Sequence, residues 1–266
     1  MQLPLCSELS HYANLASLYA AAQISRTISP DDDMLDRRAP YGMDLYLRAG
    51  ISAADIVLRA MMLCGKQEPE TILDMPCGFG RVMRHIVALF PRSRITACDL
   101  YESRIDFCKS QFNATAVKSR EDFTEIEFPH KFDLIWCGSL LTHLPAPYFR
   151  GALDLFSRSL APDGMAVIST HGRHSPFVQR HKWKYMPDEN FTKAEAEFSE
   201  SGFGYADYNE KDVFNEQKAY GISLSSPSFV MRCLESDKSI RIQGFMERAW
   251  DDHQDVLIIQ KKGINA

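Results

Sequence analysis

Residues 71–81 read Thr-Ile-Leu-Asp-Met-Pro-Cys-Gly-Phe-Gly-Arg. A short β-type run, Thr71–Met75, enters a glycine turn, and a helical stretch near 80–90 follows at once. Gly78 and Gly80 lack a Cβ, so a ligand can approach the backbone closely and positive φ is open to both. The helix behind them offers N–H groups with no partner inside the helix. Strand, glycine turn and helix in this order make a nucleotide cradle. Two details narrow the nucleotide. The dinucleotide fingerprint Gly-x-Gly-x-x-Gly needs a third glycine, and this chain has Met83 there. The strand instead ends on Asp74, which would repel a pyrophosphate and suits a cationic amino-acid group. The next β-type run closes on Asp99, 19 residues after Gly80, where an acid accepts hydrogen bonds from ribose hydroxyls.

The same grammar continues outward. Further β-type runs are Arg94–Cys98, Ala114–Val117, Phe132–Cys137 and Met165–Thr170, with helical stretches near 102–111 and 146–160. Strands alternating with helices imply parallel strands joined by right-handed crossovers. After a helical stretch near 227–236, Ile240–Phe245 and Val256–Gln260 flank a polar turn and read as an antiparallel hairpin. Before the core, residues 8–24 read as a helix capped by Ser7. Residues 42–64 read as another helix, interrupted at Gly50-Ile51-Ser52. Residues 171–187 carry four basic side chains and no acid, whereas 188–216 carry nine acids against two lysines. That opposition suggests an insertion over 171–224 that folds back on itself or lines a site, with two solvated faces as the alternative.

Asp74-Met-Pro-Cys-Gly-Phe-Gly80 followed by Asp99 resembles motif I and the ribose acid of class I methyltransferases that use S-adenosylmethionine. Phe132–Cys137 resembles their fourth strand, Ser139–Leu144 the segment after it, and Leu160–Ile168 the turn into the fifth. The chain is similar throughout to uncharacterised bacterial small-molecule methyltransferases. The resemblance implies an α/β, Rossmann-like sheet of seven mostly parallel strands in the order 3-2-1-4-5-7-6. Strand 7 would be antiparallel, with helices on both faces, a helical cap over 1–69 and a core over 70–266. One departure is Pro76 in place of the usual first glycine, which removes an N–H donor from the loop. Residue by residue, Gly78 and Gly80 would let the cofactor lie on the loop that includes Pro76 and Cys77. Asp74 would sit near the methionyl ammonium, Asp99 would hold the ribose, and Leu100 would pack on the adenine. Glu121 and Asp122 would reach the adenine amino group, unless they are helix-start acids. Cys137, Gly138 and Ser139 would border the methionine moiety.

Methyl transfer from a sulfonium is an in-line displacement in which the protein aligns donor and acceptor. A hydroxyl acceptor gains from a general base, by roughly 10²–10⁴-fold. Ligands of such sheets bind at the carboxyl ends of the parallel strands, and three histidines reach that rim. His143 follows the fourth strand and His171 the fifth. His253 lies in the turn Trp250-Asp-Asp-His-Gln-Asp255, which opens on the same face if the strand before it is parallel to the core. Each is a candidate base, with a packing or turn role as its alternative. Candidates for acceptor binding are Trp250 and Asp251 in that turn, Arg173 in the basic stretch, and Tyr46 in the N-terminal helical region.

Other classes are disfavoured. Cys137-Gly138-Ser139 replaces the Asn/Asp-Pro-Pro run of adenine-N6 enzymes, and Cys77 lies in the cofactor loop, where it reads as a packing residue. No acid at the end of the fourth strand invites a magnesium ion, so no metal is expected. The 266 residues carry 30 Lys+Arg against 35 Asp+Glu, a formal charge of −5, which does not suit a protein that coats nucleic acid. Seven cysteines without a Cys-x-x-Cys pair fit a reducing cytoplasm. No signal-like start and no apolar run of about 18 residues is present, so neither secretion nor a membrane span is expected. The expected function is therefore methyl transfer to a small-molecule acceptor, most readily at a hydroxyl. RNA-directed methylation, suggested by the basic aromatic stretch 173–185, and non-catalytic cofactor binding are the alternatives.

Overall fold

Alternation of apolar side chains in the short strands puts two separate sets of residues on opposite faces of one sheet. A computed structural model describes residues 4–208 and 220–263, with side chains from Ser10 onward. Its main sheet is built from β1 (Thr71–Asp74), β2 (Arg94–Asp99), β3 (Thr115–Lys118), β4 (Phe132–Cys137), β5 (Leu160–Thr170), β8 (Ile240–Trp250) and β9 (Gln254–Lys261). The order is β3-β2-β1-β4-β5-β9-β8. The first five pair in parallel, and β9 lies antiparallel to both β5 and β8. With β8 and β9 counted as the sixth and seventh strands, this is the order expected from the sequence. It also turns the β8–β9 hairpin toward the carboxyl ends of β1, β4 and β5.

One face of the sheet packs Ile72, Leu134, Trp136, Val167 and Ile258 against four helices. These are α1 (Pro4–Ala21), α2 (Gly42–Cys64), α3 (Met83–Leu89) and α4 (Glu102–Phe112). The other face packs Leu73, Ile135, Cys137, Ile168 and Ile259 against α5 (Ala146–Ser159) and α8 (Pro227–Leu234). Cys137 is thereby committed to the core and lies fully buried. Neighbours along each strand go to opposite cores, so a one-residue slip in register would exchange the two sets.

Local details differ from the sequence reading. The first helix already runs from Pro4, so Ser7 lies inside it rather than capping it. The second helix is continuous through Gly50-Ile51-Ser52. Gly50 serves packing there: a Cβ at this position would stand 2.0 Å from the His85 ring. His85 is held in turn by the Tyr19 hydroxyl, 2.6 Å from its Nδ1. The 171–224 region contains α6 (Ser175–His181), α7 (Asp188–Ser201) and a separate hairpin, β6 (Phe203–Asp207) with β7 (Gly221–Ser225). Its own small core gathers Met186, Phe191, Ala194, Ile222 and Leu224. The last part of the acidic stretch, 209–216, lies outside the described residues. Among those described, no helix is long and apolar enough to cross a membrane.

Helix propensity alone would favour alanine over glycine at an interior position by about 1 kcal/mol. The His85 contact reverses that sign. Gly50→Ala is expected to lower stability by about 1–3 kcal/mol, read by denaturant unfolding; a gain would contradict this account of the glycine.

Candidate active site

The Asp99 carboxylate fixes the glycine loop at the end of β1. Its Oδ2 accepts the Gly78 N–H at 3.0 Å, and its Oδ1 accepts the Tyr101 N–H at 3.2 Å. Arg104 reaches the same Oδ1 at 3.4 Å. The two loop glycines serve different needs. Gly78 has φ +50, and a Cβ there would meet nothing within 4 Å, so its open side faces free space. Gly80 has φ +72, and a Cβ there would press on Phe112 of α4 at 2.3 Å. Between them and Pro76, Cys77 is buried, and its N–H donates to the Cys98 carbonyl at 3.0 Å. Its thiol is pushed well above the ordinary value by a hydrogen bond with Cys108 and by burial, which suits packing rather than nucleophilic work.

A cavity opens beside the loop, lined by Leu100, Tyr101, Ser119, Glu121 and Tyr148 among others. Asp122 is outside this lining. It is exposed, and its carboxylate accepts the Thr124 N–H at 2.8 Å, capping the short 3-10 turn Phe123–Glu125. A second, larger cavity adjoins the first and shares with it Pro76, Asp99, Arg104, Ser139 and Tyr220. Asp74, Cys77, Gly78 and Gly138 line this larger space. Asp74 is 1% exposed, and its Oδ2 has no hydrogen-bond partner. Burial and the nearby Asp99 push its carboxyl well above the usual range. An orphaned buried carboxylate of this kind is matched by an incoming ammonium. Open backbone at Gly78, the fixed Asp99 and the unpartnered Asp74 together fit a nucleoside that carries an amino-acid tail.

At the junction, Ser139 adopts φ +58, a strained conformation for a residue other than glycine. A closed set of hydrogen bonds holds it there. The Ser139 N–H donates to Ser169 Oγ at 2.8 Å, Ser169 Oγ donates to Gln254 Oε1 at 2.6 Å, and Gln254 Nε2 donates to Ser139 Oγ at 2.8 Å. Gly138 lets two indoles close over the strand end, since a Cβ would stand 2.7 Å from Trp250 and 2.9 Å from Trp136. Those rings meet edge to face at 5.2 Å, and Trp250 Nε1 donates to the Ala49 carbonyl at 2.8 Å.

The three rim histidines come together in the larger cavity. The His171 ring lies 6.3 Å from that of His143 and 5.1 Å from that of His253. His143 Nδ1 stands 2.8 Å from the Gly221 carbonyl. A carbonyl only accepts, so Nδ1 carries the proton and Nε2 keeps its lone pair. Tyr220 stacks on the His143 ring at 4.7 Å. His253 Nε2 is held by the Tyr185 hydroxyl. His171 is 3% exposed, and its Nδ1 is without a hydrogen-bond partner. Among the described residues, no group of three or more His, Cys, Asp or Glu side chains is arranged to hold a metal ion.

Other sequence candidates sit elsewhere. Tyr46 is fully buried, and its hydroxyl donates to Asp32 at 2.6 Å. Asp251, with φ +52, pairs with Arg48 at 2.7 Å. Neither lines the two cavities. Arg173 makes a two-point contact with Glu247, at 2.7 and 2.6 Å. The other bases of that stretch are paired as well: Arg180 with Glu195, Lys182 with Asp252 at 3.7 Å, and Lys184 with Asp188 at 2.6 Å. The basic stretch thus folds onto carboxylates, two of them from the acidic stretch after it. This removes the observation that had suggested RNA.

Sequence reasoning missed several residues that wall the larger cavity: Trp183, Tyr185, Gln254 and the segment Asp32-Asp33-Met34. The first two lie in the basic aromatic stretch, where charge drew attention away from the rings. The segment around Asp32 is reached through Arg84, a buried guanidinium. It donates to Ser25 O at 2.7 Å and Thr27 O at 3.0 Å on one side, and to Gly80 O at 3.0 Å in the glycine loop.

The site histidines make stability depend on pH. Burial chiefly holds His143, His253 and the more distant His85 at about 4, and His171 well below its ordinary value. A histidine with a lowered folded pKa contributes stability that is present above about 6.5 and is lost as pH falls toward 4. Asp74 and Asp255 act oppositely: burial raises both, Asp255 to about 6, so acidification through that window favours their folded state. Four histidines face two acids, and Tm is expected to fall between about pH 7 and about pH 4.5. The fall should be shallower in His143→Gln. A Tm that rises over this interval would contradict the burial of neutral imidazoles.

Residues 72–164 match the model of the methyltransferase domain family. Malonyl-(acyl-carrier protein) O-methyltransferase of Acetivibrio thermocellus is 28% identical over 159 residues, covering 58% of this chain and 53% of that protein. Ubiquinone biosynthesis O-methyltransferase of Neisseria meningitidis is 27% identical over 115 residues, covering 41% of this chain and 45% of that protein. The chain spans about half the length of these curated relatives. Among solved structures, an S-adenosylmethionine-dependent methyltransferase from Clostridium acetobutylicum superimposes with a TM-score of 0.54 at 11% identity, covering 95% of this chain and 99% of that one. At that identity the likeness concerns the fold alone. Residues 72–164 thus match a methyltransferase domain, and the strand order is that of the S-adenosylmethionine-dependent methyltransferase fold.

Proposed function

We propose that this chain transfers a methyl group from S-adenosylmethionine to a hydroxyl of a small-molecule acceptor. The observation that carries this reading is a nucleoside-type cleft that opens, past Ser139, into a chamber where three neutral imidazoles meet. When bound, the cofactor supplies an electrophilic methyl on a sulfonium. Asp99 would hold its ribose, Asp74 its ammonium, and Leu100 and Glu121 its adenine. Both curated relatives are named O-methyltransferases, which agrees with an oxygen acceptor.

Of the three histidines, His143 is the best arranged to take a proton from an acceptor hydroxyl. The Gly221 carbonyl fixes its tautomer and leaves Nε2 as the accepting atom. His253 is engaged by Tyr185, and His171 is almost fully enclosed. Low proton affinity keeps His143 in its accepting form at neutral pH. In this reading residues 1–69 cap the core, and 171–224 supply part of the acceptor wall.

Titration calorimetry is expected to show S-adenosylhomocysteine binding, weakened at least about tenfold by Asp99→Ala. Labelled-methyl transfer into a fractionated small-molecule extract is expected to give an O-methyl product. His143→Gln should slow this transfer by roughly 10²–10⁴-fold while leaving product-cofactor affinity in place. No binding at tens of micromolar would refute the reading.

A further inference from the structure

The larger cavity is walled chiefly by rings that come from three distant parts of the chain. Trp136 and Trp250 close its base at the strand ends. Trp183 and Tyr185 of the insertion form one flank, and Trp183 meets the His253 ring edge-on at 5.1 Å. Tyr185 stacks on His253 with an interplanar angle of 15°. Trp183 is 49% exposed, so one side of its indole remains open at the mouth of the chamber.

The charged side chains of this wall are Asp32, Asp33, Asp74, Asp99, Arg81 and Arg104, and none belongs to the flank formed by Trp183 and Tyr185. All four bases of the stretch 171–187 are paired with carboxylates. Among the described residues lining the cavity, the cations are Arg81 and Arg104. Arg81 donates to the Tyr46 and Leu45 carbonyls, and Arg104 is drawn to Asp99 and lies over the Tyr101 ring at 4.6 Å. Neither is placed as a fork for a carboxylate or phosphate. Asp32 is occupied by Tyr46 and by the Met34 N–H, and Asp33 stands at the exposed rim. The same burial that keeps the imidazoles neutral would penalise a charged acceptor of either sign.

We infer that the acceptor is an uncharged, hydroxyl-bearing ring that lies against Trp183 with its hydroxyl directed to the histidine cluster. This rests on the methyl-transfer reading above and narrows its substrate class. An anionic acceptor such as an acyl carboxylate or a phosphorylated sugar would meet only Arg81 and Arg104, both already engaged by groups of the chain. The ring of a phenol and the apolar face of a sugar share the required chemistry, since both stack on an indole and both carry an edge hydroxyl.

The test uses the full chain saturated with S-adenosylhomocysteine, and reads ligand binding by saturation-transfer NMR. The phenol arm compares p-cresol with its charged counterparts 4-hydroxybenzoate and tyramine. The sugar arm compares methyl glucoside with glucuronate and glucosamine. At least one neutral probe is expected to bind in the millimolar range, at least about tenfold more tightly than its charged counterparts. Trp183→Ala should weaken it about tenfold, and the half-exposed position of this side chain spares the core. The neutral probe that binds identifies the ring type. A charged counterpart that binds as tightly, a neutral probe indifferent to Trp183→Ala, or no neutral binding up to about 10 mM overturns the inference. Failure of S-adenosylhomocysteine to bind is a separate result, and counts against the cofactor reading instead.

Discussion

The buried guanidinium of Arg84 ties together parts of the chain that secondary structure alone would leave independent. Its donors go to carbonyls of Gly80 and Phe79 in the glycine loop and of Ser25 and Thr27 in the segment between α1 and α2. The rings of Tyr46 and Phe112 lie over it at 5.3 and 5.4 Å. A buried charge is costly unless its hydrogen-bonding needs are met, and here they are met by groups that must all be in place at once. The irregular run from Ser25 to Met34 is therefore held against the core without a helix or strand of its own.

That arrangement explains which parts of the molecule were legible in the sequence. The β1–loop–α3 unit and Asp99 are local: strand, turn and acid lie within thirty residues, and each follows from backbone needs or hydrogen-bonding chemistry. The alternation of strands and helices implied parallel strands joined by right-handed crossovers, whereas the strand order followed from the family resemblance. The histidine cluster was legible only as three separate candidates, because their meeting depends on β8 running parallel to the core. The paired state of Arg173, Arg180, Lys182 and Lys184 was not legible at all. Sequence shows the charge of a stretch but not the carboxylates that fold onto it, two of which come from the β8–β9 hairpin. Gly50 misled for a related reason: a helix-breaking signal came from a residue chosen for its lack of bulk against His85.

The two adjoining cavities are built on different physics. The cavity beside the glycine loop presents carboxylates and open backbone, with Asp99 accepting the Gly78 and Tyr101 N–H groups. The larger cavity presents ring surfaces and buried imidazoles. Ser139 stands where they meet, in a conformation that its three-member hydrogen-bond set enforces. Strain of this kind persists only where the surroundings over-determine it, and the surroundings here are the ends of β4, β5 and β9.

The segment from α6 to β7, between β5 and α8, has its own small core. It supplies Trp183 and Tyr185 to the chamber, and the Gly221 carbonyl that sets the His143 tautomer. The glycine loop, Asp74 and Asp99 all lie outside it. Descent with modification can thus rewrite the clientele of such an enzyme by exchanging one contiguous cassette of chain. The glycine loop and the two carboxylates proposed to hold the methyl donor would be left untouched.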